Sequence, residues 1–370
     1  MKIGIDAKWY FDGNPSGKVV IRNLIKEIYE IDDQNEIFII LDKKFKEEHF
    51  PFEKSNIKLI YVWSGVNLLS NVFLLPIVLA KYKLDVCIFQ YFAPPISNFK
   101  TIVYIHDIIF KTHPKYFTLK ERIYFSPMKF LARRTDGIVT VSKYVLDRIK
   151  QFNFCNNETK LMVVYNGISN KYMPKNFYSV ENLEQIKMKY SLPERFLLYV
   201  GRLNERKNIL SLLVSLNYIE DKSIKMVLCG KYDWKMFNLP EKIKELGLID
   251  RVLLLGYISD EDLHIIYSLA SIFCYVSFEE GFGLPPLESL ASGVPVVVSN
   301  TSSLSEVCGD AGIYCNPYNP QDIAEKINLV LLDDKLREKK IKTGLKRSKD
   351  FNWNHSAKAL LLFCEQICES

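Results

Sequence analysis

Two glutamates with seven residues between them, Glu280 and Glu288, lie in the segment SFEEGFGLPPLESLASGVPVVVS, which follows a predicted strand at 272–276. Pro285 and Pro286 suit a helix start, so we expect Glu280 in the loop and Glu288 in the first turn of a helix. Carboxylates accept hydrogen bonds well from paired hydroxyls. One glutamate could therefore bind the hydroxyls of a sugar and the other a ribose diol. The alternative is one helix-capping and one surface glutamate.

The glycines between these glutamates expose backbone amides that could bind an anion. Gly281 and Gly283 open the backbone, which leaves the N–H groups of Phe282, Gly283 and Leu284 able to face a phosphate. A phosphate held there would lie between the two carboxylates.

A second candidate anion site follows the predicted strand 196–200 in the segment GRLNERKN. Gly201 allows a tight exit from the strand, and Arg202 and Lys207 follow near a predicted helix start. Two cations beside a helix N-terminus favour a diphosphate. The alternative is a solvated basic turn.

The first predicted strand leads into another glycine-containing segment, FDGNPSGKVVIRNL. Gly13 and Gly17 precede a helix that we expect to begin near Lys18. Glycine there lets the backbone approach an anion at the helix N-terminus. The spacing matches neither the dinucleotide fingerprint nor a phosphate-binding P-loop, and a plain turn remains the alternative.

His106 and Asp107 come directly after the predicted strand 101–105. A histidine at the carboxyl end of a strand can act in a cleft through hydrogen bonding or proton transfer. A purely structural histidine is the alternative interpretation.

The acidic run Asp260-Glu261-Asp262 has the D-x-D spacing of a metal–nucleotide site. Here it opens a predicted helix, where acidic residues are expected from the helix dipole. We therefore predict no metal site in the chain.

Short apolar runs alternate with helical patterns along the whole sequence. Eleven strands are predicted: 2–5, 37–41, 58–62, 86–89, 101–105, 137–141, 196–200, 225–229, 252–255, 272–276 and 294–298. Apolar strands that alternate with helices indicate parallel sheets covered on both faces. Eleven strands are too many for one doubly wound sheet, so the sequence predicts an α/β fold with two sheets.

The predicted boundary between the two domains is the polar stretch 171–193, which shows no strand pattern. We expect a first domain over 1–175, a second over 190–350 and a C-terminal helix over 351–370. Ligands bind beyond the carboxyl ends of the strands in such sheets. Two sheets facing each other would create a cleft between them.

The composition is that of a folded protein, with 370 residues, 48% hydrophobic, 25% charged and a net charge of +6. Disorder, collagen and a disulfide scaffold are excluded, and the charge is too small to indicate nucleic-acid binding. Eight cysteines without a C-x-x-C pair predict reduced thiols in the cytoplasm. MKIGIDAKWY shows no signal-peptide pattern. The longest apolar stretch, Val66–Ala80, falls short of the roughly 20 residues that span a bilayer and predicts a buried or interfacial helix.

Together these motifs resemble the retaining GT-B glycosyltransferases, and more narrowly the bacterial mannosyltransferases of polysaccharide and lipid-linked oligosaccharide synthesis. The resemblance is carried by GRLNERKN, EEGFGLPPLESLASGVPVVVSN and SSLSEVCGDAGIYCNP. MKIGIDAKWY, IHDIIFKTHP, TDGIVTVSKY and VVYNGIS also fit, so the resemblance covers nearly the whole chain. The E-x7-E segment combined with the Arg/Lys pair is its most specific part.

The resemblance implies a GT-B architecture, in which two Rossmann-like domains face each other across a cleft. It implies that the second domain holds most of the nucleotide-sugar donor and that the C-terminal helix returns to the first domain. It assigns Arg202 and Lys207 to the donor diphosphate, Glu280 to the transferred sugar and Glu288 to the ribose. The other implied donor contacts are the amides of Phe282, Gly283 and Leu284, the side chain of Ile258 at the base, the amide of Gly17 at the phosphates and His106 at the anomeric centre.

The activity that the resemblance implies is retaining transfer of a hexose to a cell-surface polysaccharide or lipid-linked precursor, such as O-antigen or lipopolysaccharide. Mannose from GDP-mannose is the expected donor. Cations and helix amides would neutralise the leaving diphosphate, so we expect no cofactor and no metal. The alternatives are a UDP-sugar-dependent transferase, a non-catalytic scaffold, and an epimerase or phosphorylase of the same fold. We expect the segments GKYDWK and GYIS to contact the base of the donor. Their residues do not indicate whether that base is guanine or uracil.

The charge is unevenly distributed along the chain. Residues 1–175 hold 26 Lys and Arg against 17 Asp and Glu, a net +9, whereas residues 176–370 are net −3. Within the basic half, residues 115–134 interleave basic and aromatic residues, as suits an anionic membrane surface. The alternative is a packed helix with a solvated face. We expect a cytoplasmic protein that meets the cytoplasmic face of the inner membrane there.

Overall fold

The structure of the chain is a computed structural model that describes residues 1–63, 65–232 and 238–369. The chain forms two compact units by its internal contacts: a first unit of Met1–Gly167 and Asn352–Ser370, and a second unit of Ile168–Phe351. In the described ranges the first unit contains a seven-stranded sheet and the second a six-stranded one, and all their strand pairs are parallel. The predicted α/β fold with two parallel sheets is confirmed.

The strands of the first sheet run in the order β3-β2-β1-β4-β5-β6-β7, and those of the second in the order β10-β9-β8-β11-β12-β13. Their bounds are β1 Lys2–Asp6, β2 Glu36–Asp42, β3 Ile57–Val62, β4 Val86–Gln90, β5 Lys100–Ile105, β6 Gly137–Thr140, β7 Lys160–Val163, β8 Phe196–Val200, β9 Lys225–Cys229, β10 Val252–Gly256, β11 Ile272–Tyr275, β12 Val296–Ser299 and β13 Gly312–Cys315.

Each sheet has one place where the strand order reverses. In the first sheet this is between β1 and β4, and in the second between β8 and β11. The carboxyl ends of the strands at such a reversal form a crevice in which open α/β sheets bind ligands. Ligand-binding residues are therefore expected directly after these four strands.

The helices cover the sheets. Their bounds are α1 Pro15–Ile31, α2 Asn67–Leu69, α3 Leu75–Ala80, α4 Ile109–Thr112, α5 Leu119–Phe125, α6 Met128–Ala132, α7 Lys143–Gln151, α8 Val180–Tyr190, α9 Ile209–Ser215, α10 Leu239–Glu245, α11 Asp260–Leu269, α12 Leu284–Ala291, α13 Leu304–Cys308, α14 Pro320–Leu332, α15 Asp334–Ser348 and α16 Trp353–Cys368. Helix α16 packs on α1, β4 and β5 of the first unit. No helix in the described part of the chain is long and apolar enough to cross a membrane.

All eleven predicted strands lie in the sheets, with ends within two residues of the prediction. The two strands that the prediction missed, β7 and β13, each lie at the edge of a sheet and have four residues. All four side chains of β7 are only half-buried. Each of the two strands carries only a short apolar run, Leu161–Val163 in β7 and Ile313–Cys315 in β13, and a run this short gives a weak strand signal.

The uncharged segment 66–80 forms α2 and α3 joined by a π-helical turn, Ser70–Leu74. Leu75 and Leu79 are buried in the first unit, whereas Phe73 and Ile77 are 65% and 76% exposed. The segment is therefore a surface helix with apolar residues on both its buried and its exposed side.

Candidate active site

A buried ion pair joins the two strand ends at the reversal of the second sheet. Lys207 ends a short 3-10 helix, Glu205–Lys207, whose N-cap residue Asn204 accepts a hydrogen bond from the Lys207 amide at 3.1 Å. Glu280 lies in the loop after β11. The Lys207 ammonium donates to Glu280 Oε1 at 2.6 Å and also to the hydroxyl of Tyr275. The two residues are 8% and 7% exposed, so the pair is almost closed to water.

Arg206 contributes a second cation to Glu280. Its Nη1 donates to Glu280 Oε1 at 3.1 Å and to the carbonyl oxygen of Glu279 at 2.6 Å. Burial raises the pKa of the Glu280 carboxyl, but the charges of Lys207 and Arg206 together with its side-chain hydrogen bonds outweigh burial and lower the pKa to about 2. Glu280 is therefore an anion at neutral pH, able to accept hydrogen bonds and unable to donate a proton.

Arg202 was predicted to bind the donor diphosphate together with Lys207. Its side chain takes no part in the ion pairs that Lys207 and Arg206 make with Glu280. It is exposed, and its carbonyl oxygen accepts a hydrogen bond from the hydroxyl of Tyr199 at 2.8 Å. The position beside Glu280 is taken by Arg206, which the sequence analysis missed. The available signal was its place directly before Lys207 in GRLNERKN.

The loop that carries Glu280 is fixed by serine hydroxyls. Ser303 Oγ donates to the carbonyl oxygens of Glu280 and Phe282, at 3.0 and 2.7 Å. Because a trans peptide places its N–H opposite its carbonyl, the amides of Gly281 and Gly283 point away from Ser303.

Gly283 makes the turn into α12. Its φ of +114° lies in a region that other residues rarely adopt, and a Cβ would approach Leu304 Cδ2 to 2.8 Å. Helix α12 begins at Leu284, and its next two residues are Pro285 and Pro286. Proline has no N–H, so among the first three helical residues only Leu284 can offer an amide to an anion.

Glu288 is the fifth residue of α12, so the expectation that it lies in the first turn is wrong by one residue. The helix begins at Leu284 rather than at the prolines. Glu288 is half-buried, and its Oε2 accepts a hydrogen bond from the hydroxyl of Tyr267 at 2.8 Å. Burial raises the pKa of its carboxyl, against hydrogen bonds from Tyr267 and Tyr172.

The segments predicted to contact the base of the donor are GYIS, which contains Ile258, and GKYDWK. Ile258 is buried and belongs to the core of the second unit. Within GKYDWK, residues 233–235 lie outside the described residues. The acidic run 260–262 opens α11 as expected, and the Asp262 carboxylate accepts hydrogen bonds from Lys189 at 2.6 Å and Tyr190 at 2.5 Å.

His106 lies in the first unit, directly after β5. Its Nε2 is 2.9 Å from Gln90 Oε1, and its ring lies against those of Tyr104, Tyr91 and Trp9 at centroid distances of 4.9, 5.5 and 6.2 Å. Burial lowers the pKa of His106 to about 4, so the ring is neutral at pH 7.

Asp107 does not pair with the neighbouring histidine. Its carboxylate accepts hydrogen bonds from the amide of Ile109 at 3.1 Å and from the hydroxyl of Tyr91 at 3.5 Å. These bonds hold the loop that leads from β5 into α4.

Gly17 lies in the first turn of α1. This helix begins at Pro15, not near Lys18 as the glycine spacing suggested, because proline suits the first helical position. A Cβ on Gly17 would lie 2.5 Å from Cε3 of Trp9, so glycine is what lets the indole pack on the helix. Gly17 and His106 therefore contact the same ring.

A buried polar cluster at the reversal of the first sheet was not predicted from the sequence. The Lys8 ammonium donates at 2.6 Å both to Asp6 Oδ1 and to Asn71 Oδ1. All three residues are at most 4% exposed. Two charged residues at positions i and i+2 beside an apolar strand were the available signal, because such groups are rarely buried unless they are paired.

Two family models match the chain. The model of glycosyl transferases group 1 matches residues 183–347, and that of glycosyltransferase family 4 matches residues 20–171. O-antigen chain mannosyltransferase B of Escherichia coli is 34% identical over 267 residues, which are 69% of this chain and 68% of that protein. The chain therefore belongs to the group 1, family 4 glycosyltransferases.

Other relatives carry similar names. O-antigen chain mannosyltransferase RfbU of Salmonella typhimurium is 32% identical over 243 residues, 65% of this chain and 63% of that protein. Serotype-specific mannosyltransferase WbdA of Escherichia coli is 28% identical over 271 residues. That match covers 70% of this chain but only 32% of WbdA, so the chain spans about a third of that relative.

Solved structures share the fold along the whole chain. Sucrose-phosphate synthase from Thermosynechococcus elongatus superposes with a TM-score of 0.79 at 19% identity, over 99% of this chain and 98% of the other. HepE from Anabaena, in complex with UDP and glucose, gives 0.76 at 18% identity over 99% and 100%. These structural similarities show that the chain has the predicted GT-B fold.

Proposed function

We propose that this glycosyltransferase retains the configuration of a hexose as it transfers it, and that the donor is GDP-mannose. The acceptor is a cell-surface polysaccharide, such as an O-antigen, or its lipid-linked precursor. The observation that carries the proposal is the buried Lys207–Glu280 pair at the strand reversal of the second sheet. Glu280 is the first glutamate of the E-x7-E segment. Mannose is supported by relatives named mannosyltransferases at 28–34% identity.

The second unit binds the donor in this proposal. Glu280, an anion at neutral pH, accepts hydrogen bonds from hydroxyls of the transferred sugar, and Glu288 binds the ribose. Lys207 and the exposed Arg202 bind the diphosphate, together with the amides of Phe282, Gly283 and Leu284. Ile258 and the amide of Gly17 make the remaining contacts, at the base and the phosphates.

The chemical step consists of one substitution at the anomeric carbon. The acceptor oxygen bonds to this carbon on the face from which the diphosphate departs, the bond to the diphosphate breaks with its electron pair, and the diphosphate takes the acceptor's proton. Lys207 and Arg202 stabilise the negative charge that develops on the diphosphate. His106, which is neutral at pH 7, hydrogen-bonds the transferred sugar.

A donor screen tests this function. The purified protein is incubated with GDP-mannose, other GDP-sugars and a series of UDP-sugars, and release of the free nucleotide is measured with Glu280→Gln as the inactive control. We expect GDP from GDP-mannose and none from the variant. Release of UDP alone would show that the donor is a UDP-sugar and not GDP-mannose. No release and no binding heat with any donor would refute the catalytic function in favour of a scaffold.

We propose in addition that the first unit contacts an anionic membrane surface, where a lipid-linked acceptor would be reached. The predicted region 115–134 exposes the apolar side chains of Leu119 and Ile123, which are 69% and 62% exposed. Its exposed basic residues are Lys115, Lys120, Arg122, Arg133 and Arg134. Glu121, the single acidic residue of this region, forms a capping box with Thr118.

A second apolar element adjoins this region. The Tyr124 hydroxyl in α5 lies near Leu68, at the start of the segment 66–80: burial raises the pKa of Tyr124, and the backbone of Leu68 opposes that rise. That segment exposes Phe73 and Ile77 and carries no charge. Apolar side chains bordered by cations suit an anionic bilayer. A second copy of the same basic surface would be repelled.

Vesicle sedimentation tests the membrane contact. We expect binding to vesicles that contain phosphatidylglycerol, weakened by salt and by Arg133→Glu/Arg134→Glu, and little binding to phosphatidylcholine alone. Charge reversal at Lys335 and Lys339, exposed on α15 of the second unit, is the matched control and should leave binding unchanged. Vesicle binding that does not change with salt concentration would refute the proposal, and so would a concentration-dependent dimer without vesicle binding.

A further inference from the structure

A strained turn ends β4 beside His106. Tyr91 has a φ of +61°, in the left-handed region that side chains other than glycine rarely adopt. The amide of Phe92 donates to the carbonyl oxygen of Gln90 at 2.7 Å and closes a three-residue turn around Tyr91. Strained residues of this kind persist only where neighbouring groups hold them, and they cluster at functional sites.

Asn71 and Asp6 hold this turn from the adjacent elements. Asn71 Nδ2 donates to the carbonyl oxygen of Phe92 at 2.8 Å and to Asp6 Oδ2 at 3.0 Å, and that same carboxylate oxygen lies 3.5 Å from the amide of Gln90. Asn71 lies in the π-helical turn Ser70–Leu74, a rare geometry that often marks functional sites. Both ends of the strained turn are therefore fixed.

Lys8 sets the direction of the Asn71 side chain. Its ammonium can only donate, so the atom that it contacts at 2.6 Å must be the amide oxygen of Asn71. The amide nitrogen then faces Phe92 and Asp6. The buried ion pair of Lys8 and Asp6 thereby orients the groups that hold the turn at Gln90.

The side chain of Gln90 in turn defines the state of His106. Gln90 is buried, and its Oε1 lies 2.9 Å from Nε2 of His106. An amide oxygen only accepts, so Nε2 carries the proton of the neutral ring and Nδ1 is left as an acceptor. The ring is flanked by Tyr91, Tyr104 and Trp9.

The charged groups of these elements are engaged elsewhere. The carboxylate of Asp107 binds the Ile109 amide and the Tyr91 hydroxyl, and Asp6 and Lys8 bind each other. Burial is the cause that lowers the pKa of His106 to about 4. The proton on Nε2 is thus governed by Gln90.

We propose that Gln90 is a positioning residue that holds His106 with its proton on Nε2, so that Nδ1 accepts a hydrogen bond from a hydroxyl of the transferred sugar. The Asp6–Lys8–Asn71 cluster keeps Gln90 in place for this purpose. The inference rests on the proposed role of His106 in transfer, but the tautomer of His106 is measurable without any substrate.

Nitrogen NMR of the ¹⁵N-histidine-labelled protein tests the tautomer. The chain has five histidines, and the His106 signals are assigned by their loss in His106→Gln. At pH 7 we expect a protonated Nε2 and an unprotonated Nδ1, and a mixture of both tautomers in Gln90→Leu. Gln185→Leu, on the exposed surface of α8, is the control and should change neither signal. A proton on Nδ1 in the wild-type protein would overturn the proposal.

Gln90→Glu gives a second readout that a purely structural role would not affect. A carboxylate beside the imidazole raises the pKa of His106, and the imidazolium has no acceptor nitrogen. Transfer should then be lost as the pH falls through this raised pKa, so the acid limb of the pH–rate profile moves to higher pH. An unchanged acid limb with a raised pKa would overturn the positioning role. Full activity of His106→Gln with the expected tautomer would instead refute the proposed role of His106.

Discussion

The ammonium of Lys207 lies 2.6 Å from Oε1 of Glu280, and the two side chains are almost completely buried. They follow β8 and β11, which are paired neighbours at the strand reversal of the second sheet. A buried pair of this kind keeps both charges in place before any ligand arrives. It also makes each charge dependent on the other, because an unpaired buried ion is strongly unfavourable.

Glu280→Gln is expected to make stability less dependent on pH. The pKa of Glu280 is lowered from 4.5 to about 2, so the fold stabilises the ionised form. This stabilisation is fully present above about pH 4.5 and is lost as the pH falls through about 2. The unfolding free energy of the wild type should therefore fall more steeply in this window than that of the variant.

Urea denaturation at a series of pH values measures this difference. Asp322→Asn, on the partly exposed first turn of α14, serves as a control for the loss of one acidic group. Parallel stability curves for the wild type and Glu280→Gln would show that the buried pair does not depress the carboxyl pKa.

Arg202→Ala and Arg206→Ala should separate binding from stability. Arg202 is exposed and outside the ion-pair cluster, so its loss should change the unfolding free energy by no more than about 0.5 kcal/mol while transfer is abolished. Arg206→Ala removes contacts to Glu280 and to the Glu279 carbonyl, and should destabilise the fold by about 1–3 kcal/mol.

Thermal unfolding and the nucleotide-release assay, run on both variants, test this contrast. Full transfer by Arg202→Ala would remove this residue from the donor site. A stable Arg206→Ala would show that Lys207 alone satisfies Glu280.

Lys8→Met should destabilise the first unit strongly. It leaves the Asp6 carboxylate buried without its cation, which costs about 3–5 kcal/mol in comparable sites. Lys44→Met is the matched control, because the Lys44–Asp12 pair is exposed and should contribute little. Urea denaturation distinguishes them. If Asp6→Leu/Lys8→Met is no more stable than Lys8→Met, the unpaired charge is not the cause.

The fold was predictable because the buried strands are continuous apolar runs, and a parallel sheet leaves few other arrangements for them. The edge strands β7 and β13 are four residues long, and only three residues of each are apolar. The helix starts were less predictable, since α1 begins at Pro15, two residues before Gly17. One residue of difference also moved Glu288 out of the first turn of α12.

In the candidate site, the residues that follow neighbouring strands could be predicted from their position in the sequence, but their side-chain contacts could not. Lys207 and Glu280 follow neighbouring strands, so their proximity follows from the topology. Whether Arg202 or Arg206 reaches Glu280 depends on the course of a short 3-10 helix, which the residue pattern does not specify. Asn71 was missed because a π-helical turn inserts one residue into an apolar helix without altering its composition.

Gly17→Ala should displace the indole of Trp9 and thereby disturb the surroundings of His106. The added Cβ would lie 2.5 Å from Trp9 Cε3, and the same ring packs against Tyr91 and His106. We expect a change in Trp fluorescence and in the His106 NMR signals, with a loss of about 1–3 kcal/mol in stability. Ser16→Ala, exposed in the same turn, should change none of these. If both variants behave alike, Gly17 is not needed for the indole to pack.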